Sequence, residues 1–156
     1  MPHQPRYIAR VEAMDRKIVS LLAQDGRMSY TDLAKETGLS TSAAHQRVRR
    51  LEERGVIRGY AAVIDPDAIG LPLTAFISVT PLDPAAPDDV AERLAPIEQI
   101  EACHSVAGEE SYILKARVGA PGELEELLAR IRADANVRTR TTIVLSTPYE
   151  ARPPAI

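Results

Sequence analysis

An α+β fold in two parts follows from three features of this 156-residue sequence. The first part carries the 3.6-residue period of amphipathic helices and one tight corner, Thr37-Gly38-Leu39-Ser40. Beyond it, short β-branched runs alternate with helical runs in the order βαββαβ. Charge divides at the same place. Residues 1–65 hold 11 Lys+Arg against 8 Asp+Glu, and residues 66–156 hold 8 against 14.

Residues 1–10 carry two prolines and no periodicity and predict a loose arm. A helix is expected over residues 11–24, with Met14, Ile18, Leu21 and Leu22 on its apolar face and Asp25-Gly26 as its stop. A second follows over residues 30–36. Ser29 is its N-cap, and Asp32 three residues on completes a capping-box arrangement. Gly38 supplies the left-handed backbone of the corner. Ser40 caps a third helix that runs to about Arg54 and ends at Gly55. Ala44, Val48 and Leu51 recur at i, i+4 and i+7, a stripe suited to pack on Leu33, Ala34 and Leu39. Residues 56–64, VIRGYAAVI, are rich in β-branched types and predict a strand in the place of a wing. Asp65-Pro66-Asp67 breaks it. Residues 1–64 are thus expected to form a winged helix-turn-helix domain, 65–71 a linker, and 72–150 a second domain.

In the second domain a strand is expected over 73–80, with Leu73, Ala75, Ile77 and Val79 on one face. A loop over 81–87 leads to a helix over 88–97 with Val90 and Leu94 inward. Strands follow over 100–107 and 111–118, joined by the turn Gly108-Glu109-Glu110. After a break at 119–122, a helix over 123–134 presents Leu124, Leu127, Leu128 and Ile131. A strand over 138–146 closes the unit, and a proline-rich mobile tail over 148–156 is expected. The order is that of a ferredoxin-like sheet. Both helices lie on one side of such a sheet. Apolar residues occur in both alternating sets, so the bare side is expected to pair with a second copy.

The third helix has a polar side: Ser40, Thr41, Ser42, His45, Gln46, Arg47, Arg49 and Arg50. Short hydroxyls, an amide and cations are the groups that reach base edges and phosphates, and a corner of this form presents them to double-stranded DNA. Any amphipathic helix pair with a solvated face gives a similar pattern. Ala34, Gly38 and Leu39 stand where the corner requires them, which favours DNA. The net charge of -3 opposes DNA binding only if spread evenly, and it is not.

Cys103 is the only cysteine, which excludes an internal disulfide and suits a reducing cytoplasm. The N-terminus shows no apolar segment of signal-peptide length, and no run approaches the ~18 apolar residues of a membrane span. No C-x-x-C, H-E-x-x-H, P-loop or G-x-G-x-x-G occurs. Cys103 and His104 are neighbours in a strand and point to opposite faces, so they cannot share one ion. No catalytic residue, metal or cofactor is expected.

Asp15-Arg16-Lys17-Ile18, Gly26-Arg27, LAKETGLSTSAAHQRVRRLEERGVIRGY, Asp65-Pro66, Ile69-Gly70, the turn at Gly108 and TRTTIVLS occur in that order. Together they resemble the Lrp/AsnC (feast/famine) family of transcription regulators over about residues 11–147. The resemblance implies a winged-helix DNA-binding domain joined to a βαββαβ domain, called RAM. That domain dimerises, assembles into higher oligomers such as an octamer, and binds a small effector, usually an amino acid. By resemblance the effector lies between protomers near the turn after Ala107, with the last strand contributing. His104, Gly108, Glu109, Glu110, Ser111, Thr139 and Thr141 are the candidates. The family turn reads Gly, any residue, aromatic, Asp, Tyr. Here it reads Gly108-Glu109-Glu110-Ser111-Tyr112, so the aromatic is Glu110 and the Asp is Ser111. An Asp holds an α-amino group as a charge-assisted partner; Ser111 alone does not, leaving that role to Glu109 or Glu110. Plain β-propensity accounts equally for Thr139 and Thr141, and packing for His104.

Two other readings share the architecture. Siroheme-type tetrapyrrole decarboxylases resemble this family in fold, and His104 with Arg117, Arg138 or Arg140 would stand around the macrocycle. Such an enzyme has no need of a polar reader face, which favours the regulator. An architectural DNA protein without a ligand is the third reading.

Overall fold

The computed structural model describes residues 11–155, and the arm expected over residues 1–10 lies outside them. The chain separates into a helical unit, up to Val63 and again from Tyr149, and a sheet unit, Ile64–Pro148.

The helical unit contains α1 (Ala13–Gln24), α2 (Tyr30–Thr37) and α3 (Thr41–Glu53). Side chains start the last two. Ser29 Oγ accepts the Asp32 N–H at 3.1 Å and donates to the Asp32 carboxylate at 2.7 Å. Ser40 Oγ accepts the Ala43 N–H at 3.2 Å. Gly38 turns the corner at φ 72°. Ile18, Leu33, Ala34, Ala44, Val48 and Leu51 are buried together, with Leu21, Leu22 and Leu39 packed against them. Val19 also packs on this cluster, whereas Met14 is half-buried and not part of it. Lys17 Nζ donates to the Glu36 carbonyl, tying α1 to an open carbonyl in the last turn of α2.

The expected wing strand over residues 56–64 does not form. The amides of Val56 and Ile57 fold back onto the Leu51 carbonyl at 2.9 and 3.1 Å and finish α3. Tyr60 then donates from its hydroxyl to Glu52 at 2.9 Å. Further on, residues 61–65 form no regular structure, and Val63 is 92% exposed. β-branched residues favour a pleated, half-buried surface, and here no neighbouring strand supplies one. The expected linker is partly ordered. Asp67–Ile69 form a single 3-10 turn, and the Leu71 amide donates to the Pro66 carbonyl at 2.9 Å.

The sheet unit runs β1 (Leu73–Pro81), α4 (Val90–Leu94), β2 (Ile100–Ser105), β3 (Tyr112–Val118), α5 (Pro121–Ala135) and β4 (Val137–Ile143). The strand order is β2-β3-β1-β4, with every pair antiparallel. α5 starts two residues before its expected place, because Pro121 suits the first helical turn, where no amide partner is needed. Asn136, at φ 52°, ends it in the left-handed region. Ala75, Ile77 and Val79 of β1, Leu114 and Val118 of β3, and Leu124, Leu127 and Ile131 of α5 form the core with Val90 and Leu94.

The opposite side of the sheet is not the apolar face expected from the sequence. It carries Thr74, Phe76, Ser78 and Thr80 of β1, Ile113, Lys115 and Arg117 of β3, and Arg138, Arg140 and Thr142 of β4. The two-residue period sorts most Ile, Leu and Val onto the helix side, leaving Phe76 and Ile113 among hydroxyls and cations.

Candidate functional site

The corner aims α3 through a short apolar stripe. Ala44, Val48 and Leu51 are turned inward, so Thr41, Ser42, His45, Gln46, Arg49 and Arg50 are exposed. Ser40 Oγ serves the cap and lies 3.2 Å from Ser42 Oγ. The His45 ring stands edge-on to Tyr30 of α2, with 4.6 Å between centroids. Arg49 Nε donates to Glu53 at 2.8 Å, one helical turn on. Both side chains are well exposed, so this pair contributes only about 0.3–0.5 kcal/mol and yields readily to a phosphate.

Arg47, also among the expected DNA contacts, is engaged within the unit. Its guanidinium turns back to α1, donating to Asp15 at 2.7 Å and Glu12 at 3.4 Å. These two hydrogen bonds, that to Asp15 first, hold it charged even beyond the ordinary arginine range. Arg54 Nη1 approaches the second oxygen of Asp15 at 3.9 Å. Asp15 is only 7% exposed. The sequence reading missed its role, although an acid on the apolar side of α1, one turn before Ile18, was the available signal.

In the sheet unit the turn after β2 is pinned at both ends. The Val106 amide donates to the Ser111 carbonyl and the Ser111 amide to the Val79 carbonyl, each at 3.0 Å. Glu110 reaches over β1, accepts from Ser78 Oγ at 3.2 Å and lies 3.9 Å from Arg140 Nη2. It belongs to a recess of about 280 Å³ formed with Ser78, Thr80, Glu109, Arg138, Thr139 and Arg140. A second hollow of about 470 Å³ shares Thr80 and Glu110 and is bounded by Gly108, Ser111, Tyr112 and the loop bearing Asp83 and Asp88. Tyr112 donates its hydroxyl to Asp88, and this bond, with burial, pushes the phenol up to about 12.

The fold therefore gathers Gly108, Glu109, Glu110, Ser111 and Thr139 around adjoining hollows, but not Thr141 or His104. Thr139 borders the first hollow, yet its hydroxyl accepts from Arg132 of α5 at 3.3 Å. Thr141 pairs with Ile77 on the helix-bearing side. His104 pairs with Ile113 on β2, the edge strand opposite β4. Three strand spacings, about 14 Å, separate those edges within one chain. Arg117 donates to Glu101 at 2.7 Å. Ser78, Thr80, Arg138 and Arg140 were not among the effector candidates. Alternation along β4 could have pointed to its two arginines, since they take the face that Thr139 and Thr141 leave. Among the described residues no three His, Cys, Asp or Glu side chains are grouped to hold a metal ion. No described helix is long and apolar enough to cross a membrane.

A helix-turn-helix with an exposed polar second helix, followed by an antiparallel sheet with polar hollows at one end, defines a DNA-binding, ligand-binding transcriptional regulator. Residues 12–58 match the model for winged helix-turn-helix DNA-binding domains, and residues 74–154 match the Lrp/AsnC ligand binding domain. The chain belongs to the Lrp/AsnC family of transcriptional regulators. It is 55% identical over 142 residues to the HTH-type transcriptional regulator LrpA of Mycobacterium tuberculosis, covering 91% of this chain and 95% of that one. It is 36% identical over 140 residues to the leucine-responsive regulatory protein of Escherichia coli K12, covering 86% of this chain and 85% of that one. A solved feast or famine regulatory protein from M. tuberculosis, complexed with L-methionine, superposes with a TM-score of 0.90 at 55% identity. That likeness covers 91% of this chain and 97% of the other.

Proposed function

We propose that this chain is a sequence-specific DNA-binding regulator in which α3 reads the major groove and the Glu110 hollow takes an amino-acid effector. The observation that carries the DNA reading is the exposed run Ser42, His45, Gln46, Arg49 and Arg50 on a capped, packed second helix. Gln46 has the amide geometry that pairs with adenine, and Arg49 or Arg50 the fork that pairs with guanine or phosphate. The reading works through two copies, which set two such helices in successive grooves about one helical turn apart.

The effector reading rests on charge. Arg138 and Arg140 face Glu109 and Glu110 across one small recess, an arrangement complementary to the carboxylate and ammonium of a zwitterion. Glu110 supplies the acid that the family turn usually carries one residue later. A related protein at 55% identity is solved with L-methionine, which supports the class of ligand.

The full chain is expected to select discrete sites from a randomised duplex pool and to run as a dimer or larger by light scattering. Gln46→Ala with Arg49→Ala should weaken binding to the selected sites by at least about tenfold. Undiminished selectivity in the double variant would refute α3 as reader, and a monomer would refute pairing.

A further inference from the structure

We infer that Asp15 is a positioning residue for DNA reading: through Arg47 and Arg54 it sets the rotation of α3, and so the register of the side chains that meet the bases. This rests on α3 being the reader.

The apolar seam that holds α3 is short, consisting of Ala44, Val48 and Leu51. Apolar contact is non-directional and leaves a helix some freedom to roll. A carboxylate–guanidinium bond is directional and resists rolling. Arg47 and Arg54 are seven residues apart, so they lie about 20° from each other around the helix, on one flank. Both converge on Asp15, at 2.7 and 3.9 Å. One carboxylate on α1 therefore grips α3 at two levels, with Glu12 adding a third contact at 3.4 Å. The Asp15 side chain is 10% exposed and that of Arg47 31%, so this grip is less open to solvent competition than the Arg49–Glu53 pair beside it.

A roll of about 15° moves a group ~6 Å from the helix axis by about 1.5 Å. The distance window of a hydrogen bond to a base edge is about 0.5 Å. Such a roll breaks base contacts, whereas long cationic side chains still find phosphates. Losing the grip should therefore lower discrimination between sequences and leave general affinity for DNA in place. Loss of folded protein alone would lower both together.

The test uses the full chain, duplexes selected by the wild-type protein from a randomised pool, and a scrambled duplex of equal composition. Asp15→Asn should cut the ratio of selected to scrambled affinity by about tenfold, with scrambled affinity changed less than about twofold. Arg47→Met, which keeps the charge pair of Asp15 with Arg54, should shift the ratio the same way and decides the matter if Asp15→Asn does not fold. An unchanged ratio in variants shown to be folded by circular dichroism at the assay temperature overturns the inference. So does an equal loss on both duplexes. If the wild-type chain selects no sequence, the reader assignment fails and this inference falls with it. If Gln46→Ala with Arg49→Ala loses selectivity while Asp15→Asn keeps it, only this inference falls.

Discussion

Two residues of the same type, one helical turn apart, illustrate how little a residue's identity says about its work. Arg50 stays on the solvent side of α3, while Arg47 is drawn back onto Asp15. A helical wheel places Arg47 on the flank of the apolar stripe, and a side chain of that length can turn either way from a flank. The acid on α1 decides the direction. Tyr112 offers a second local case that can be measured. Its hydroxyl donates to Asp88, and its phenol is held at about 12 against an ordinary 10.0. The unfolded chain thus releases this proton first as pH rises, so the stability linked to the bond is complete below about pH 10 and disappears between about pH 10 and 12. Tyr112→Phe should be less stable by about 1 kcal/mol at neutral pH, because Asp88 is exposed and returns to water at little cost. Denaturant titrations at pH 8 and pH 11.5 should show the gap between the two proteins closing. A constant gap would mean that the bond to Asp88 contributes nothing pH-dependent.

At the scale of elements, capping and corner chemistry were readable from the chain, and strand pairing was only partly so. Ser29 and Ser40 start their helices as expected, since each cap is a contact across three residues. Gly38 ends α2 at φ 72°, and a Cβ there would meet no atom within 4 Å. Its cost is therefore conformational alone. Gly38→Ala should lose about 1–2 kcal/mol, read as a lower urea midpoint with an unchanged slope. A variant of equal stability would show that the corner does not need the left-handed region. Residues 56–64 show the opposite case. Their β-branched composition predicts a strand, but a strand exists through its partner, and composition does not name one. The start of α5 differs more narrowly: Pro121, expected within a break, is its first helical residue.

At the scale of the molecule the chain joins a basic first part to an acidic second part, which supports the proposal that the first part meets a polyanion. The hollow proposed for the effector follows from less local facts. Glu110 meets Ser78 and Arg140 only because β1 lies between β3 and β4 in the sheet. L-methionine or a related amino acid at about a hundred times its dissociation constant should stabilise the protein by roughly 2.7 kcal/mol. That appears as a rise in melting temperature, which Glu110→Gln should abolish. A panel of all common amino acids producing no rise would remove the amino-acid reading and leave the DNA reading intact.

Sequence alone was enough for the class of the fold, the starts of α2 and α3 at their serine caps, the corner before α3, and the face of α3 that meets solvent. Each depends on residues within a turn or two of one another, where the periods of 3.6 and 2 and the chemistry of caps act directly. The family also followed from residues that occur in order along the chain. Tertiary structure decided which cation on α3 is bound to α1, and that residues 56–64 pair with no strand. It also decided that the bare face of the sheet is polar, and that Glu110 rather than His104 stands opposite the arginines of β4. Those outcomes depend on groups tens of residues apart, brought together by packing, and no local pattern encodes their distance.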